Sequence, residues 1–593
     1  MKRIIFLLTI TALAVYFNTL NHSFVWDDHF LIEENNAIKD IKYIPEIFST
    51  DLYHSYAKNK AVEHSNFYRP IQSLSFLADY HIWKLNPFGF HLSNILLHLA
   101  NGILVFIAVF VICKSMIVSL FTSVLFLVHP VQTGAVAYIA GRSDLLACFF
   151  LLISFILYAG RPSFFKEKEH FFRIGSLSAF VFALLSKEVA VIFPLILIFY
   201  DIAYKRNISF RMSAFLKKYS TYLFVDAAYI FLRLSIFNFT PEKNIFRGAA
   251  GISSQLLTMS RTFMEYIGLL IFPAGMHMER DVRIAVTALR GDIALSLAGL
   301  LALIFLAFIS YRRSRSLFFG TAWFVIFLAP FSNIVPINAL MAEHWLYIPS
   351  IGFFLITGIV LVKLRFTKVN YNFVLTLFIL LTLFYSRAAI LRNRDWKDDM
   401  SIYSATLRLS PKKGKMYYNI GNVYNSKGLF KDAVKYYNLA VNTGMKKTEL
   451  YTNLAIVYTR LGCFREAEEN FREAIELGPD NPFAHNGIGG LFEKMGLTNK
   501  AISEYKRAIE SHPDFYDAYL NLGVIYGEKG DLKESTLYLE RAFSIRKDAA
   551  SYYNLGYAYY KAGNVDRAEA LWRKSLVKYP YNNPAEEFLK SAR

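Results

Sequence analysis

Two neighbouring aspartates, Asp27 and Asp28 in SFVWDDHF, follow the first long apolar run of the chain. Carboxylates at a membrane boundary either mark where an apolar segment stops or act as a base, and an adjacent pair also suits Mg²⁺ or Mn²⁺. Dedicated metal ligands are not evident, so no metal is expected at this pair. Three basic residues stand at the ends of later apolar segments: Arg69 in NFYRPI, Arg142 in AGRSD and Lys187 in LSKE. A guanidinium offers a two-pronged fork and an ammonium a point charge to a phosphate, and the same residues at helix ends also reach for lipid headgroups. Glu188 and Glu343 are acids that can pair with such cations or face water, and His344 can replace a cation only when protonated. Further on, Asn419, Asn453, Asn521 and Asn554 recur at one position of a repeating pattern. An amide donates and accepts at once, which suits an extended peptide backbone and equally suits packing between repeats.

What these groups can do depends on the elements that hold them. With 593 residues, 54% of them hydrophobic, and a mean hydropathy of +0.30, the chain is too apolar for one soluble globule and long enough for several domains. Cys113, Cys148 and Cys463 are too far apart to frame disulfides or a metal site. The formal charge of +19 would suggest nucleic acid in a soluble protein, but most of the excess lies among the apolar segments before residue 390, so membrane orientation explains it and no nucleic acid is expected.

The start, MKRIIFLLTITALAVYF, has a basic head and an apolar centre without a small-residue cleavage site, which predicts an uncleaved anchor. Further spans are expected near 91–112, 115–131, 144–159, 174–187, 189–204, 219–237, 291–310, 317–336, 346–364 and 370–388, giving about eleven crossings. Lys114, the basic run from Arg161 to Arg173, Lys205 to Lys218, Arg312 to Arg315 and Lys363 to Lys368 then fall on one side. That side is cytoplasmic by the charge rule, which places the N-terminus inside and Asp27, Asp28 and everything after the last span outside. The segment 256–272 carries Arg261 and Glu265 and is expected to lie along the outer face or re-enter.

After residue 390 the pattern changes. TELYTNLAIVYTRLGCFREAEENFREAIELGPDN and PFAHNGIGGLFEKMGLTNKAISEYKRAIESHPDF are consecutive units with small residues at matching places, Ala455 and Gly489, Ala467 and Ala501, Ala474 and Ala508. Each unit also carries a closing proline, Pro479 or Pro513. This is the tetratricopeptide period of paired helices. The frame extends to 414–447, 516–548 and 549–582, with a capping helix in NNPAEEFLKSAR and a degenerate repeat helix in the linker 391–413. The predicted fold is all-α: a polytopic membrane domain over 1–390, the linker, and an extracytoplasmic repeat solenoid over 414–593.

An acidic pair on the first outer loop of a polytopic domain, followed by such a solenoid, resembles the transmembrane and tetratricopeptide-repeat O-mannosyltransferases, within the GT-C-fold glycosyltransferases that use polyprenyl-phosphate sugars. The resemblance rests on FVWDDHFLIEENNAI at 24–38, NFYRPI at 66–71, HPVQTGAVAYIAGRSDLLA at 129–147, LSKEVAV at 185–191, AEHWLYIPSIGF at 342–353 and RNRDWKDD at 392–399. It implies an inverting transfer of a mannose-like sugar from a polyprenyl phosphate to Ser or Thr hydroxyls of exported proteins, in a bacterial inner membrane. Partners are then membrane lipids, the lipid-linked sugar and an extended protein acceptor, with no cofactor. A hydroxyl nucleophile needs a base, but phosphate leaves without an acid, so one carboxylate suffices. By resemblance Asp27 is that base, and Asp28 orients it or raises its pKa by like charge. Arg69, Arg142 and Lys187 hold the donor phosphate, with Glu188, Glu343 and His344 in support. The asparagines form an acceptor ladder.

This chain departs from the family pattern twice, with Gly134 where an acidic residue often follows HPV, and Glu343–His344–Trp345 where an arginine often precedes LYLPS. Two other readings compete: a transferase acting on a glycan or lipid with repeats for assembly, and a non-catalytic scaffold that docks partners. The scaffold leaves the acidic pair, GRSD and SKE unexplained.

Overall fold

The structure, a computed structural model, describes residues 2–54, 66–160, 169–204, 212–236, 251–280, 282–334, 337, 339–364, 371–579, 585–586 and 589. Every regular element among them is helical. The chain divides into two compact units, Met1–Pro411 and Lys412–Arg593. The stretch expected as a linker therefore lies mostly in the first unit, where Asp399–Leu409 forms a helix capped by Asp398, which accepts the Ser401 N–H at 2.8 Å.

A helix stands at every expected crossing. Six spans, Lys2–Asn21, Pro87–Cys113, Ile139–Ala159, Gly291–Arg313, Arg315–Ser332 and Asn372–Trp396, are long and apolar enough to cross a membrane, and a bent pair makes a seventh. The others are short: Phe193–Tyr204 has 12 residues, or about 18 Å at 1.5 Å per residue, against a hydrocarbon core of about 30 Å. By length and composition, six or seven helices among the described residues are long enough to cross a membrane, and these helices make the molecule a membrane protein. Gly251–Ile271 forms a helix that is not among the spans, and its Arg261 pairs with Glu265 at 3.0 Å. The basic runs 161–173, 205–218 and 363–368 lie partly outside the described residues, as does most of the expected capping helix at 582–593.

The bent pair is Met116–Val128 with Pro130–Val136, at 54°. Pro130 disfavours helical backbone at the preceding residue, so His129 is extended and its ring nitrogen accepts the Val131 N–H at 3.3 Å. This break carries the chain into the short turns at 130–141 that later hold the site. Beneath it, helices approach through glycines, as apolar surroundings require close backbone packing. A Cβ on Gly352 would lie 2.7 Å from the Phe324 nitrogen, and one on Gly102 would lie 2.6 Å from the Leu127 side chain.

In the second unit each repeat is a helix pair, from Gly414–Ser426 with Phe430–Asn442 to Ala549–Lys561 with Val565–Lys578. The first helix ends in a left-handed glycine in every repeat: Gly428, Gly462, Gly496, Gly530 and Gly563, with φ between 72° and 80°. The matching small residue of the first helix packs on a large residue of the second. A Cβ on Gly489 would sit 2.7 Å from the Tyr505 ring, and Gly421, Gly523 and Gly556 face Tyr437, Leu539 and Trp572 in the same way. These contacts explain why the pattern repeats in sequence.

Candidate functional site

Asp27 and Asp28 sit between the anchor helix and a run of short turns, and they do different things. Asp28 is fully buried: its Oδ2 accepts the Val25 N–H at 3.1 Å and its Oδ1 the Ala140 N–H at 2.8 Å. It therefore ties the loop to the turn that leads into the Arg142–Ala159 helix. Burial pushes its carboxyl up to about 8, against the pull of these two N–H groups. Asp27 is half-buried and its Oδ2 accepts the Tyr53 hydroxyl at 3.1 Å. The like-charge effect expected to raise Asp27 is seen on Asp28, where it adds to burial.

The loop backbone is strained just before the pair. Trp26 has φ of 54°, unusual for a residue with a side chain. Asp399 holds it there: Oδ1 accepts the Trp26 N–H at 2.9 Å and Oδ2 meets His29 Nε2 at 2.8 Å, while His29 Nδ1 meets Glu33. These two carboxylates raise His29 to about 10, with the Asp399 hydrogen bond the larger cause, so it is a cation at neutral pH. Burial pushes Asp399 upward, but the His29 and Trp26 hydrogen bonds outweigh it and hold it below the usual carboxylate range. Asp399 and His29 were not singled out from the sequence, although both lie inside quoted motifs. Their signal was an acid pair, Asp398–Asp399, of the same form as Asp27–Asp28.

The three nominated cations separate. Arg69 grips Glu188 with two prongs, Nε to Oε2 at 3.1 Å and Nη2 to Oε1 at 2.6 Å, and reaches Ser143 Oγ at 3.5 Å. Lys187 Nζ lies 2.7 Å from both oxygens of Asp144. Asp144, in GRSD, is a third residue that sequence reasoning did not nominate. Arg142 is 1% exposed, donates to Asn94 Oδ1 at 2.7 Å and the Phe90 carbonyl at 2.8 Å, pairs with Asp79 at 2.6 Å, and lies 4.8 Å over the Phe76 ring. It braces three helices from within, and its bonds go to Asp79, Asn94 and Phe90.

Glu188 thus pairs with a nominated cation and Glu343 with others. Glu343 Oε1 accepts the His277 N–H at 2.6 Å and Arg280 at 3.2 Å, and Oε2 accepts Arg392 at 3.3 Å. His344 is half-buried, and burial, then Lys187 and Arg69, lower its pKa well below the ordinary value, so it is neutral and cannot stand in for a cation. The two departures from the family pattern meet: a Cβ on Gly134 would lie 3.6 Å from His344 Cβ and 3.8 Å from Trp396 Cζ2. Among the described residues no group of three or more His, Cys, Asp or Glu is arranged to hold a metal ion.

In the solenoid, Asn419, Asn453, Asn521 and Asn554 are all half-buried. Asn453 Nδ2 donates to Tyr418 Oη at 3.0 Å and Asn422 Oδ1 at 3.1 Å, and Asn521 Nδ2 to Asn486 Oδ1 at 3.0 Å, each in the preceding repeat. Asn554 donates to the Ala550 carbonyl at 2.9 Å. Asn453 and Asn521 thus bind the stack itself, and Asn554 its own helix.

Fold and site together define a helical membrane protein with a tetratricopeptide solenoid and a charged cluster at the ends of its membrane helices. Tetratricopeptide repeat models match residues 414–442, 448–481, 516–548 and 549–582, and a TPR repeat model matches 498–530. The chain is 26% identical over 442 residues to Protein O-mannosyl-transferase F38B6.6 of Caenorhabditis elegans, covering 72% of this chain and 61% of that protein. It is 23% identical over 457 residues to Protein O-mannosyl-transferase TMTC3 of Homo sapiens, covering 70% and 49%, and 25% identical over 475 residues to TMTC4 of Mus musculus, covering 70% and 63%. The chain is therefore a relative of the transmembrane and tetratricopeptide-repeat O-mannosyl-transferases, and it spans between 49% and 63% of the length of these curated relatives. Among solved structures, a thermophilic tetratricopeptide protein of Thermus thermophilus, TTC0263, matches at 19% identity over 30% of this chain and 98% of that one, with a TM-score of 0.28.

Proposed function

We propose that this chain is a membrane glycosyltransferase that moves a mannose-like sugar from a polyprenyl-phosphate donor to Ser or Thr hydroxyls of proteins, with inversion at the anomeric carbon. The observation that carries the reading is the division of labour in the acidic pair: Asp28 anchors the loop while Asp27, half-buried and held by Tyr53, keeps a surface toward solvent. In this reading Asp27 takes the proton of the acceptor hydroxyl as its oxygen attacks the anomeric carbon, and the bond from that carbon to the phosphate oxygen breaks. The developing phosphate charge is met by Arg69 and Lys187. Their carboxylate partners hold them in place without exhausting them, since a guanidinium has five N–H groups and an ammonium three. Arg142, enclosed by Asp79 and Asn94, serves by holding the helices that present the site. With seven crossings, the bent pair counted as one, the solenoid lies on the same side of the membrane as Asp27, where its half-buried face guides an extended acceptor.

The similarity to O-mannosyl-transferases supports the transfer of mannose to protein, and the charged cluster supports a phosphate-linked donor. The test is turnover of purified protein with a panel of radiolabelled polyprenyl-phosphate sugars and peptide acceptors. Asp27→Asn keeps the shape and removes the proton acceptor, so kcat falls by roughly 10²–10⁴-fold with donor affinity little changed. An Asp27→Asn protein as active as the wild type would end the assignment of the base.

A further inference from the structure

Between the acidic loop and the cation pairs stand uncharged side chains that the charges themselves do not explain. Tyr138 and Trp396 stack with ring centroids 5.0 Å apart at 20°, and they are 9% and 4% exposed. The Trp396 Nε1 is buried without a hydrogen-bond partner, and the buried Tyr138 hydroxyl beside it has no well-formed bond either, its nearest acceptor being the Asp27 carboxylate. An indole N–H can only donate, and a buried donor left unpaired is costly, so Trp396 calls for an acceptor oxygen that the described residues do not supply.

The rest of the wall fits. Trp396 Cζ2, on the same edge of the indole as Nε1, faces the bare side of Gly134, where an added Cβ would make only ordinary contacts at 3.6–3.9 Å. His344 closes that side, and the charges that act on it are Lys187 and Arg69. On the other side, the Tyr138 hydroxyl feels the charges of Asp27 and Asp28. Uncharged groups thus stand between a carboxylate pair on one side and a phosphate-competent cluster on the other.

We propose that Tyr138, Trp396, Gly134 and His344 form the subsite for the sugar ring of the donor, with ring hydroxyl oxygens accepting from Trp396 Nε1–H and Tyr138 Oη–H. The assignment rests on the transferase reading above and deepens it: the group that must sit between a base and a leaving phosphate is the transferred pyranose. Gly134 supplies room for a ring substituent, so it sets which sugar is accepted. The neutral His344 offers a hydrogen bond without drawing in a second anion.

Trp396→Phe keeps the stacked ring and removes only the N–H. In detergent, equilibrium binding of a polyprenyl-phosphate sugar should weaken roughly fivefold or more, while binding of the sugar-free polyprenyl phosphate stays as in wild type. Gly134→Ala, which the structure accommodates without a clash, should do the same with an unchanged melting temperature, and serves as the second variant if Trp396→Phe is unstable. Equal affinity for the sugar-bearing donor in wild type and in a folded variant overturns the subsite. So does an equal weakening for both ligands. The two readings separate in the wild type: transfer without any effect of these variants sinks the subsite alone, whereas no transfer from any polyprenyl-phosphate sugar sinks the transferase reading and the subsite with it.

Discussion

The acidic loop of the membrane unit and the repeat solenoid solve the same problem in opposite ways. Solenoid contacts are near in sequence: Tyr437 reaches Asn422 across 15 residues, and Asn453 reaches Tyr418 across 35. The loop is held by residues 112 and 370 positions away, Asp28 on Ala140 and His29 on Asp399. Helices satisfy their own backbone groups, so a repeat needs only complementary faces. A loop has backbone N–H groups to satisfy and borrows carboxylates to do it. Asp28 and Asp399 are both used in this way, and the difference teaches that an acid in the loop is a structural part unless it keeps a side toward the solvent. Asp27 is the acid of the first pair that does.

The comparison breaks most sharply at Arg142. If it is a brace, as its enclosure by Asp79, Asn94 and Phe90 implies, Arg142→Leu leaves the Asp79 carboxylate buried without its cation. Removing one partner of a buried pair costs about 3–5 kcal/mol. The membrane unit should lose thermal stability in detergent, and the double change Arg142→Leu with Asp79→Leu should recover much of it. A stable Arg142→Leu protein with weakened donor binding would instead return Arg142 to the phosphate.

This contrast also sets what the sequence could reveal. The repeat period was readable because it is written in local pairs such as Gly489 with Tyr505, sixteen positions apart. The acidic pair and the motifs NFYRPI, GRSD and SKE were readable as candidates, since polar residues at the ends of apolar spans stand out. Their partners were not. Nothing local links Arg69 to Glu188, 119 residues on, or separates Arg142, which is enclosed, from Lys187, which lies against Asp144. The crossing count was not legible for a related reason: apolar runs such as 189–204 make helices of 12 residues, and hydrophobicity reports burial without saying whether in lipid or in protein.

In the solenoid the expected effects are smaller and local. A Cβ on Gly523 already meets the Leu539 side chain, so Gly523→Val forces two helices of one repeat apart. Overpacking of this kind costs about 1–3 kcal/mol, read as a lower melting temperature of the full-length protein and, with it, easier proteolysis within 516–548. An unchanged melting temperature would mean that the repeats yield as the loop does, and the distinction between local and distant support would lose its basis.

The smallest effect decides what the asparagines are for. Asn453 donates to Tyr418 and Asn422 of the preceding repeat, so Asn453→Ala removes two hydrogen bonds on a half-buried surface and leaves the phenol and the amide oxygen able to meet water. Each such bond contributes about 0.5–1.5 kcal/mol, and exposure to water puts the loss at the lower end. A stacking role therefore predicts a modest drop in melting temperature and no change in KM for a peptide acceptor. Asn419→Ala is the control for the opposite role, because Asn419 lies in the first helix pair of the second unit, so its amide has no earlier pair of that unit to bind. There an acceptor-binding amide would raise KM with stability intact. If both variants raise KM and neither melts early, the ladder reads peptide along its length. If Asn453→Ala only melts earlier and Asn419→Ala only raises KM, one position of the repeat does two jobs, set by whether a neighbouring repeat is there to take the amide.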